Sequence, residues 1–469
     1  MDEVDFLVIG AGPAGMAAAA EAAQAGLSVA LLDEQPRPGG QIYRDVTIAG
    51  PERRAILGRE YEAGLPLAQA LSAAGLRHIA GATVWMIEPD GTIAFSRAGK
   101  AARMRGRKLL IATGALERPM PVPGWTLPGV MTAGAAQILL KQSGLVPRRA
   151  VIAGAGPLLY LIGAQMVRAG HPPLALVETQ GPADLRNALR HLPGALRGWR
   201  AMAKGLGWIA ELRRAGVPRH VGARDLAVEG GTCAEALSFT CNGRRQRLTC
   251  ATVLLHEGVV PNTQATRSLG LPHRWDGGQH CFVPEHDAWG LTPNESIYVA
   301  GDGAGIGGAL AADLAGRLVA LHAAAAFGRI PLAARDRRAA PVFSALARER
   351  AARPFLDAAY PPSARTRAPE DGTIICRCEE VTAGDIRRYA RLGCTGPNQA
   401  KAFGRAGMGP CQGRYCGLTV TAILAEANGQ SPAETGYYRI RPPLKPVTLG
   451  ELAAMTETDD RTDERKEQA

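Results

Sequence analysis

Residues 4–9 (VDFLVI) form an apolar run that stops at a glycine-rich turn, residues 14–25 continue with alanine-rich helical character, and residues 28–33 (SVALLD) are a second apolar run ending in an acid. This pattern predicts a strand, a turn, a helix and a second strand. It returns at Ala150, where AVIAGAGP opens a new strand and turn, an alanine-containing helix follows, and LALVE ends on Glu178. Two nucleotide-binding α/β folds in series are expected. From Asp184 to Gly216 the chain has helical character and is rich in Arg, Leu and Ala, with Trp199 and Trp208, an elaboration of the second domain. Residues 221–260 read as short strands, and 290–326 as a strand, a glycine turn and a helix. Residues 331–371, rich in Arg, Ala and Pro, read as a linker, and the last fifteen residues (MTETDDRTDERKEQA) as a disordered tail.

A chain of 469 residues can bury two or three cores, since single cores rarely grow beyond about 250–300 residues. No run of about twenty uncharged apolar residues occurs, and the first strand begins by Val4, leaving no room for a signal peptide. A cytoplasmic location is expected, with peripheral contact at the inner face of the membrane, or with the quinone pool, as a further option. The net charge of +11 is spread over three groups: Arg97 to Lys108, Arg186 to Arg219, and Arg335 to Arg338. Aromatics are only 5% and do not interleave with these groups, which argues against nucleic acid and for solvated faces or docking surfaces for acidic proteins. Nine cysteines, an odd number, point away from a disulfide framework and toward metal or redox use.

Gly10-Ala-Gly12-Pro13-Ala14-Gly15 sits directly after a strand and at the start of a helix, where a phosphate site needs it. Asp33, 23 residues after Gly10, ends the second strand, where a carboxylate can accept ribose hydroxyls. Gly39-Gly40 follows at the distance found in FAD-binding members of the glutathione-reductase superfamily. LLIATGALERPMPVPG (Leu109 to Gly124) resembles the segment that closes their site, and NESIYVAGDGAG (Asn294 to Gly305) their second flavin motif, whose aspartate, here Asp302, binds the ribityl chain. Glu34, Gln35, Gly40, Gln41, Val84, Ala112, Thr113, Gly114 and Gly301 complete the candidate FAD residues.

The second turn, Gly154-Ala-Gly156-Pro-Leu-Leu159, has leucine in the third glycine position, which should push the helix from the strand or block a dinucleotide. Glu178, 24 residues after Gly154, could still hold a ribose. A working NAD(P)H site, a site for ATP or AMP, and an empty structural domain all remain open. Residues 1–232 contain no cysteine, which excludes both dithiol mechanisms of the disulfide reductases. His256 and Glu257 fall where that superfamily's nicotinamide domain returns to the flavin domain, so a structural role is expected.

Cys376 and Cys378 stand one residue apart, Cys411 and Cys416 four apart, with 32 residues between the pairs. Four such thiolates suit a [2Fe–2S] cluster, with structural zinc as the rival. Glycines 407, 409, 413 and 417 are expected to wrap the cluster closely. The spacing resembles the bacterioferritin-associated-ferredoxin type of [2Fe–2S] domain. Cys394 fits no ligand spacing, and Cys233, Cys241, Cys250 and Cys281 are isolated.

DEQPRPGGQIYR, GVMTAGAAQILL, YVAGDGAGIGGA, CRCEEVT and GMGPCQGRYCG together resemble the α subunit of bacterial heteromeric amine or amino-acid dehydrogenases, a family including opine oxidase, D-hydroxyproline and proline dehydrogenase, and hydrogen cyanide synthase subunits. The resemblance implies two Rossmann-like domains of glutathione-reductase type and a small C-terminal helical four-cysteine domain. The expected division is a flavin domain in two parts (1–145 and 285–330), an inserted NAD(P)-like nucleotide domain (146–284), the linker (331–371), a [2Fe–2S] domain (372–432) and a C-terminal extension (433–469). It also implies a β subunit of glycine-oxidase type whose own FAD oxidises a C–N bond, in some relatives a small ferredoxin-like γ subunit, and in some an FMN at the subunit interface. The expected function is electron transfer through FAD and the cluster to an external acceptor, with D-hydroxyproline or an opine as substrate. The alternatives are a self-sufficient NAD(P)H-dependent reductase and a nucleotide-bound scaffold. No residue is assigned to the C–N oxidation itself.

Overall fold

In the computed structural model, which describes residues 2–455, the strand Asp2–Ile9 is at the centre of a seven-stranded sheet. The expected tail lies, from residue 456 on, outside the described residues. Val29–Asp33 and Arg77–Ala80 extend the sheet in parallel on one side, Lys100–Ile111 on the other, and an antiparallel meander of Thr92–Arg97 and Thr83–Ile87 completes the edge. Phe6 to Ile9 are all apolar and all buried, as a parallel strand covered on both faces requires. The chain returns at Ile297–Val299, parallel to Lys100–Ile111, so this domain is built from two separate stretches of sequence.

The two stretches are locked together by small residues. Helix Pro13–Gln24 buries a run of alanines, and helix Ala309–Ala326 crosses it so closely that a Cβ at Gly316 would fall 2.1 Å from the Ala14 carbonyl oxygen. Ala309–Ala326 is also the one described helix long and apolar enough to cross a membrane; half of it is buried in this core.

The second domain holds a five-stranded parallel sheet in the order Arg219–Val221, Ala175–Glu178, Ala150–Ala155, Thr252–Glu257, Val130–Thr132, with a three-stranded antiparallel sheet formed from 224–249. Ala115–Glu117 and Val259–Pro261 pair as the two-stranded crossing between domains. Pro182–Arg214 is helical, as its composition indicates.

The stretch expected as a linker is different. Residues 331–371 contain helices Leu332–Arg350, Arg353–Ala359 and Ala364–Arg367. The Ala and Arg that suggested a loose connection are strong helix formers. Ala339 and Leu346 pack with Leu318 and Leu321, and Phe355 and Ala359 with Ala188 and Ala195. The segment then runs over the carboxyl ends of the second sheet. Tyr360 meets Tyr160 edge to face, with ring centroids 6.2 Å apart. The Ser363 N–H donates to Glu257 Oε1 at 3.2 Å, and the Thr366 hydroxyl donates to Oε2. Burial pushes the Glu257 carboxyl up to about 7, against these hydrogen bonds and the charges of Arg118 and Arg367.

Residues 374–435 fold as a short hairpin and four helices docked on the other two domains, with Trp125 Nε1 donating to the Ile374 carbonyl at 2.6 Å. The extension beyond 433 lies back on the first domain, where Lys445 pairs with Glu34 at 3.0 Å and the Leu444 N–H bonds the Trp85 carbonyl at 2.6 Å.

Two outcomes follow from this packing. Gly316→Val is expected to overpack the helix crossing and cost about 1–3 kcal/mol, read as a fall in melting temperature. Between pH 4.5 and 7 the folded chain keeps a proton on Glu257 that the unfolded chain releases, so stability falls as pH rises through that window, by up to about 1.4 kcal/mol per pH unit. Glu257→Gln is expected to gain on the wild type between pH 5 and 7 in paired melting curves.

Candidate functional site

At the first turn, main chain meets main chain. Gly10 has φ +105°, and a Cβ there would fall 2.4 Å from the Ala112 carbonyl oxygen; at Gly15 it would fall 1.8 Å from that of Gly10. Gly12 caps the helix that Pro13 opens, and Gly40 comes so near that its Cβ would lie 2.9 Å from Gly12 Cα. The Gly39 N–H donates to the Ala11 carbonyl at 2.8 Å. The N-terminal amide groups of the helix and its dipole thus face a cleft kept free of side chains, the arrangement that receives a pyrophosphate.

Asp33 ends its strand beside this turn. Its carboxylate accepts the N–H of Ala11 at 2.6 Å and of Gln35 at 2.7 Å, while burial raises its pKa. The Ala82 N–H bonds the Asp33 carbonyl at 2.9 Å, which brings Val84 and the start of its strand to the same edge. Thr113 and Gly114 follow Ala112 and bond to Asn262, Thr113 Oγ1 at 3.4 Å and the Gly114 carbonyl at 3.0 Å. Gly301 packs on Ala14, and Asp302 Oδ1 accepts the N–H groups of Gly307 and Gly308 at 2.9 and 2.8 Å. Glu34 instead points to the surface and pairs with Lys445.

Two buried cations at this site are not apparent from the motifs. Arg44 holds the Gly40 carbonyl at 3.1 Å and Gln41 Oε1 at 3.2 Å, and also reaches Gln35 Oε1. Lys141 donates to the Gln41 carbonyl at 3.0 Å and to Gln137 Oε1 at 2.9 Å, and burial beside Arg44 brings its amine down to about 7. Among the described residues neither has a carboxylate partner. Two buried, unpaired cations beside an open glycine turn fit an anionic ligand such as FAD. Arg44 stands within DEQPRPGGQIYR, but only the fold shows that its guanidinium turns inward.

The second turn has the same backbone and a different environment. A Cβ at Gly154 would fall 1.8 Å from the His256 carbonyl oxygen, and at Gly156 3.3 Å from His256 Nε2. Leu159 does not push the helix away; it is buried in the core with Ile152, Ile162 and Leu254. His256 Nδ1 lies 2.7 Å from Glu117 Oε1, and the Glu117 carboxylate also takes the Gly134 N–H. Glu178, expected to be open to a ribose, is fully buried. Its oxygens are taken by Arg219 at 2.6 and 2.9 Å, by the Tyr160 hydroxyl at 2.6 Å and by Gln180. No signal in the acid's position could reveal this; Tyr160 and Arg219 come from other elements.

The four cysteines gather as two pairs. Cys416 donates a hydrogen bond to Cys376, and backbone N–H groups of Gly407, Glu379 and Cys378 also point at the Cys376 sulfur, bringing its thiol down to about 6. Cys378 and Cys411 form the second hydrogen-bonded pair, and Cys376 acts on Cys378 through its charge. Among the described residues no group of three or more His, Cys, Asp or Glu closes as a metal cage. The donor set and the N–H groups aimed at sulfur nonetheless fit a four-thiolate centre. The surrounding glycines serve a purpose not expected from sequence: at Gly407 and Gly413 a Cβ would strike the Tyr438 ring, at Gly417 the Tyr437 hydroxyl, and only at Gly409 a cysteine, Cys378.

Residues 4–328 match the family model for pyridine nucleotide-disulphide oxidoreductases, and residues 371–456 that for the sarcosine oxidase A3 domain. An opine oxidase A subunit from Rhizobium meliloti is 45% identical over 465 residues, covering 97% of this chain and 88% of that protein. The hydrogen cyanide synthase polypeptide HcnB of Pseudomonas aeruginosa is 32% identical over 458 residues, covering 94% and 96%. The crystal structure of L-proline dehydrogenase from P. horikoshii covers 96% of this chain and 79% of its own with a TM-score of 0.71; at 20% identity this likeness concerns the fold. The chain is therefore an oxidoreductase that belongs to the α-subunit family of heteromeric flavin dehydrogenases, together with the opine oxidase A subunits.

Proposed function

We propose that this chain is the electron-transfer subunit of a heteromeric enzyme oxidising the C–N bond of an opine or a related amino or imino acid, with electrons arriving from a partner subunit and not from NAD(P)H. The observation that carries this reading is the contrast between the two turns. The first is open, with buried cations beside it, whereas the ribose acid of the second is consumed by Arg219 and Tyr160 and its sheet end is covered by residues 353–367. The 45% identity to opine oxidase A subunits favours an opine over D-hydroxyproline.

FAD supplies two-electron acceptance and one-electron release when bound, and a [2Fe–2S] centre one-electron relay. The residues that would hold FAD are Gly10 to Gly15, Asp33, Gly40, Thr113 and Asp302; those that would hold the cluster are Cys376, Cys378, Cys411 and Cys416. The chain connects the two places by short steps. Thr113 and Gly114 bond to Asn262, the Gln264 N–H reaches Asn262 Oδ1 at 3.5 Å, and Gln264 Nε2 donates to the Gln412 carbonyl at 3.4 Å, next to Cys411. The proposed partners are a FAD-containing β subunit of glycine-oxidase type and a small ferredoxin-like γ subunit.

The deciding experiment is cofactor analysis of the complex co-expressed with its neighbouring subunits. FAD and about two irons per chain are expected, with the flavin bleached by an opine and not by NADH. Rapid bleaching by NADH would restore the self-sufficient reductase, zinc without iron would make the cysteine module structural, and a colourless protein would leave a nucleotide-bound scaffold. The same extract tests for FMN from a subunit interface and for ATP or AMP from the second turn. Cys376→Ser combined with Cys411→Ser is expected to remove most of the iron and leave the flavin in place, measured by metal analysis and the visible spectrum.

A further inference from the structure

The helical stretch from Pro182 to Arg214 leaves a row of large apolar side chains uncovered. Its small residues face inward: Ala188 and Ala195 are buried against Phe355 and Ala359. At Gly194 a Cβ would fall 2.5 Å from the Ala351 carbonyl oxygen, and at Gly198 2.8 Å from the Ala352 Cβ. Leu212 is buried and Met202, Trp208 and Ile209 pack inward, but other bulky apolar residues face water. Leu185, Leu189, Leu192, Leu196, Trp199 and Leu206, spread over the four successive helical segments Pro182–Ala188, Leu189–His191, Leu192–Arg197 and Trp199–Arg214, are all exposed, Leu196, Trp199 and Leu206 to 65%, 61% and 65%.

A basic row runs alongside. Leu185, Leu189, Leu196 and Trp199 are each followed directly by an arginine, Arg186, Arg190, Arg197 and Arg200, all exposed. Among the described residues none of these four arginines has a carboxylate partner. Pairing two copies along this row would bring the arginine rows together, and their like charges would repel. A run of short helical segments that exposes leucine and tryptophan with arginine beside them is suited to lie on an anionic lipid surface, its apolar side chains at the headgroup boundary and its guanidinium groups on lipid phosphates.

We propose that this exposed row, Leu185 to Leu206, docks the protein on an anionic lipid surface. The inference stands apart from the reading of the cofactor sites. The test is flotation of the full-length chain with vesicles of phosphatidylcholine alone and of phosphatidylcholine mixed with phosphatidylglycerol. The chain is expected to float with the mixed vesicles only and to be released by high salt. Replacing Arg186, Arg190, Arg197 and Arg200 with Gln should weaken binding roughly fivefold per residue, the equivalent of about 1 kcal/mol per charge. Leu192→Gln, Leu196→Gln and Trp199→Gln together should abolish it, with melting curves unchanged because these side chains are exposed. The emission difference between wild type and Trp199→Phe should shift to the blue on mixed vesicles. Absence of flotation, flotation unaltered in both variants, or unshifted Trp199 emission overturns the proposal. Loss of a co-purifying subunit in the triple variant without vesicle binding by the wild type would overturn it in favour of a protein interface.

Discussion

Four stretches of main chain, distant in sequence, come into contact at the first glycine turn: Gly10 against Ala112, Gly15 against Gly10, Gly40 against Gly12, and Gly301 against Ala14. At Gly10, Gly15 and Gly40 close packing of this kind tolerates no added methyl group, because the colliding atoms are backbone and cannot move aside, while at Gly301 the nearest atom is the Ala14 Cβ, 3.0 Å away. The rest of the flavin domain is arranged around it. The return of the chain at Ile297–Val299 is what delivers Gly301 and Asp302, and the crossing of the two alanine-rich helices at Gly316 is what keeps them there. With side chains excluded, the cleft is lined by N–H groups, and Arg44 and Lys141 add positive charge from behind the Gly40 turn.

The second domain begins with the same strand and turn and ends with a different electrostatic solution. A buried carboxylate needs partners, and Glu178 has them in Arg219, Tyr160 and Gln180. Once those hydrogen bonds are made, the group that would orient a ribose is part of the core. Residues 353–367 strengthen the arrangement by bringing Tyr360 onto Tyr160 and by using Glu257, at the end of the neighbouring strand, as an anchor for Ser363 and Thr366.

What could be read in the sequence follows from what is local. The strands and turns at Gly10, Gly154 and Gly301 were legible because a parallel strand, a glycine and an alanine helix are adjacent residues with one periodicity. The cysteine pairs were legible as pairs for the same reason. The helices within 331–371 were not, because arginine and alanine without an apolar stripe read as loose chain, while their burial depends on Leu318 and Ala188 from other parts of the protein. The fate of Glu178 was equally hidden, since Arg219 lies 41 residues away on another strand. Leu159 is legible as a departure, but its consequence is not: the leucine joins the core under the helix and leaves the turn intact.

The glycines around the second cysteine pair show how a local motif can take its reason from a distant element. A cluster-wrapping loop and a loop that accommodates two tyrosines require the same absence of side chains, and here Tyr437 and Tyr438 occupy that space. Those tyrosines belong to an extension that also ties down the loop from the other side: Arg414 donates to the Leu444 carbonyl at 2.5 Å, and Gln412 reaches the Pro443 carbonyl. The same extension grips the flavin domain through Lys445 on Glu34 and Leu444 on Trp85. Its effect is to fix Cys411 and Cys416 relative to the flavin sheet by protein contacts alone. In the proposed relay, where electrons would pass between two centres, such a strap would set their separation independently of the ligands.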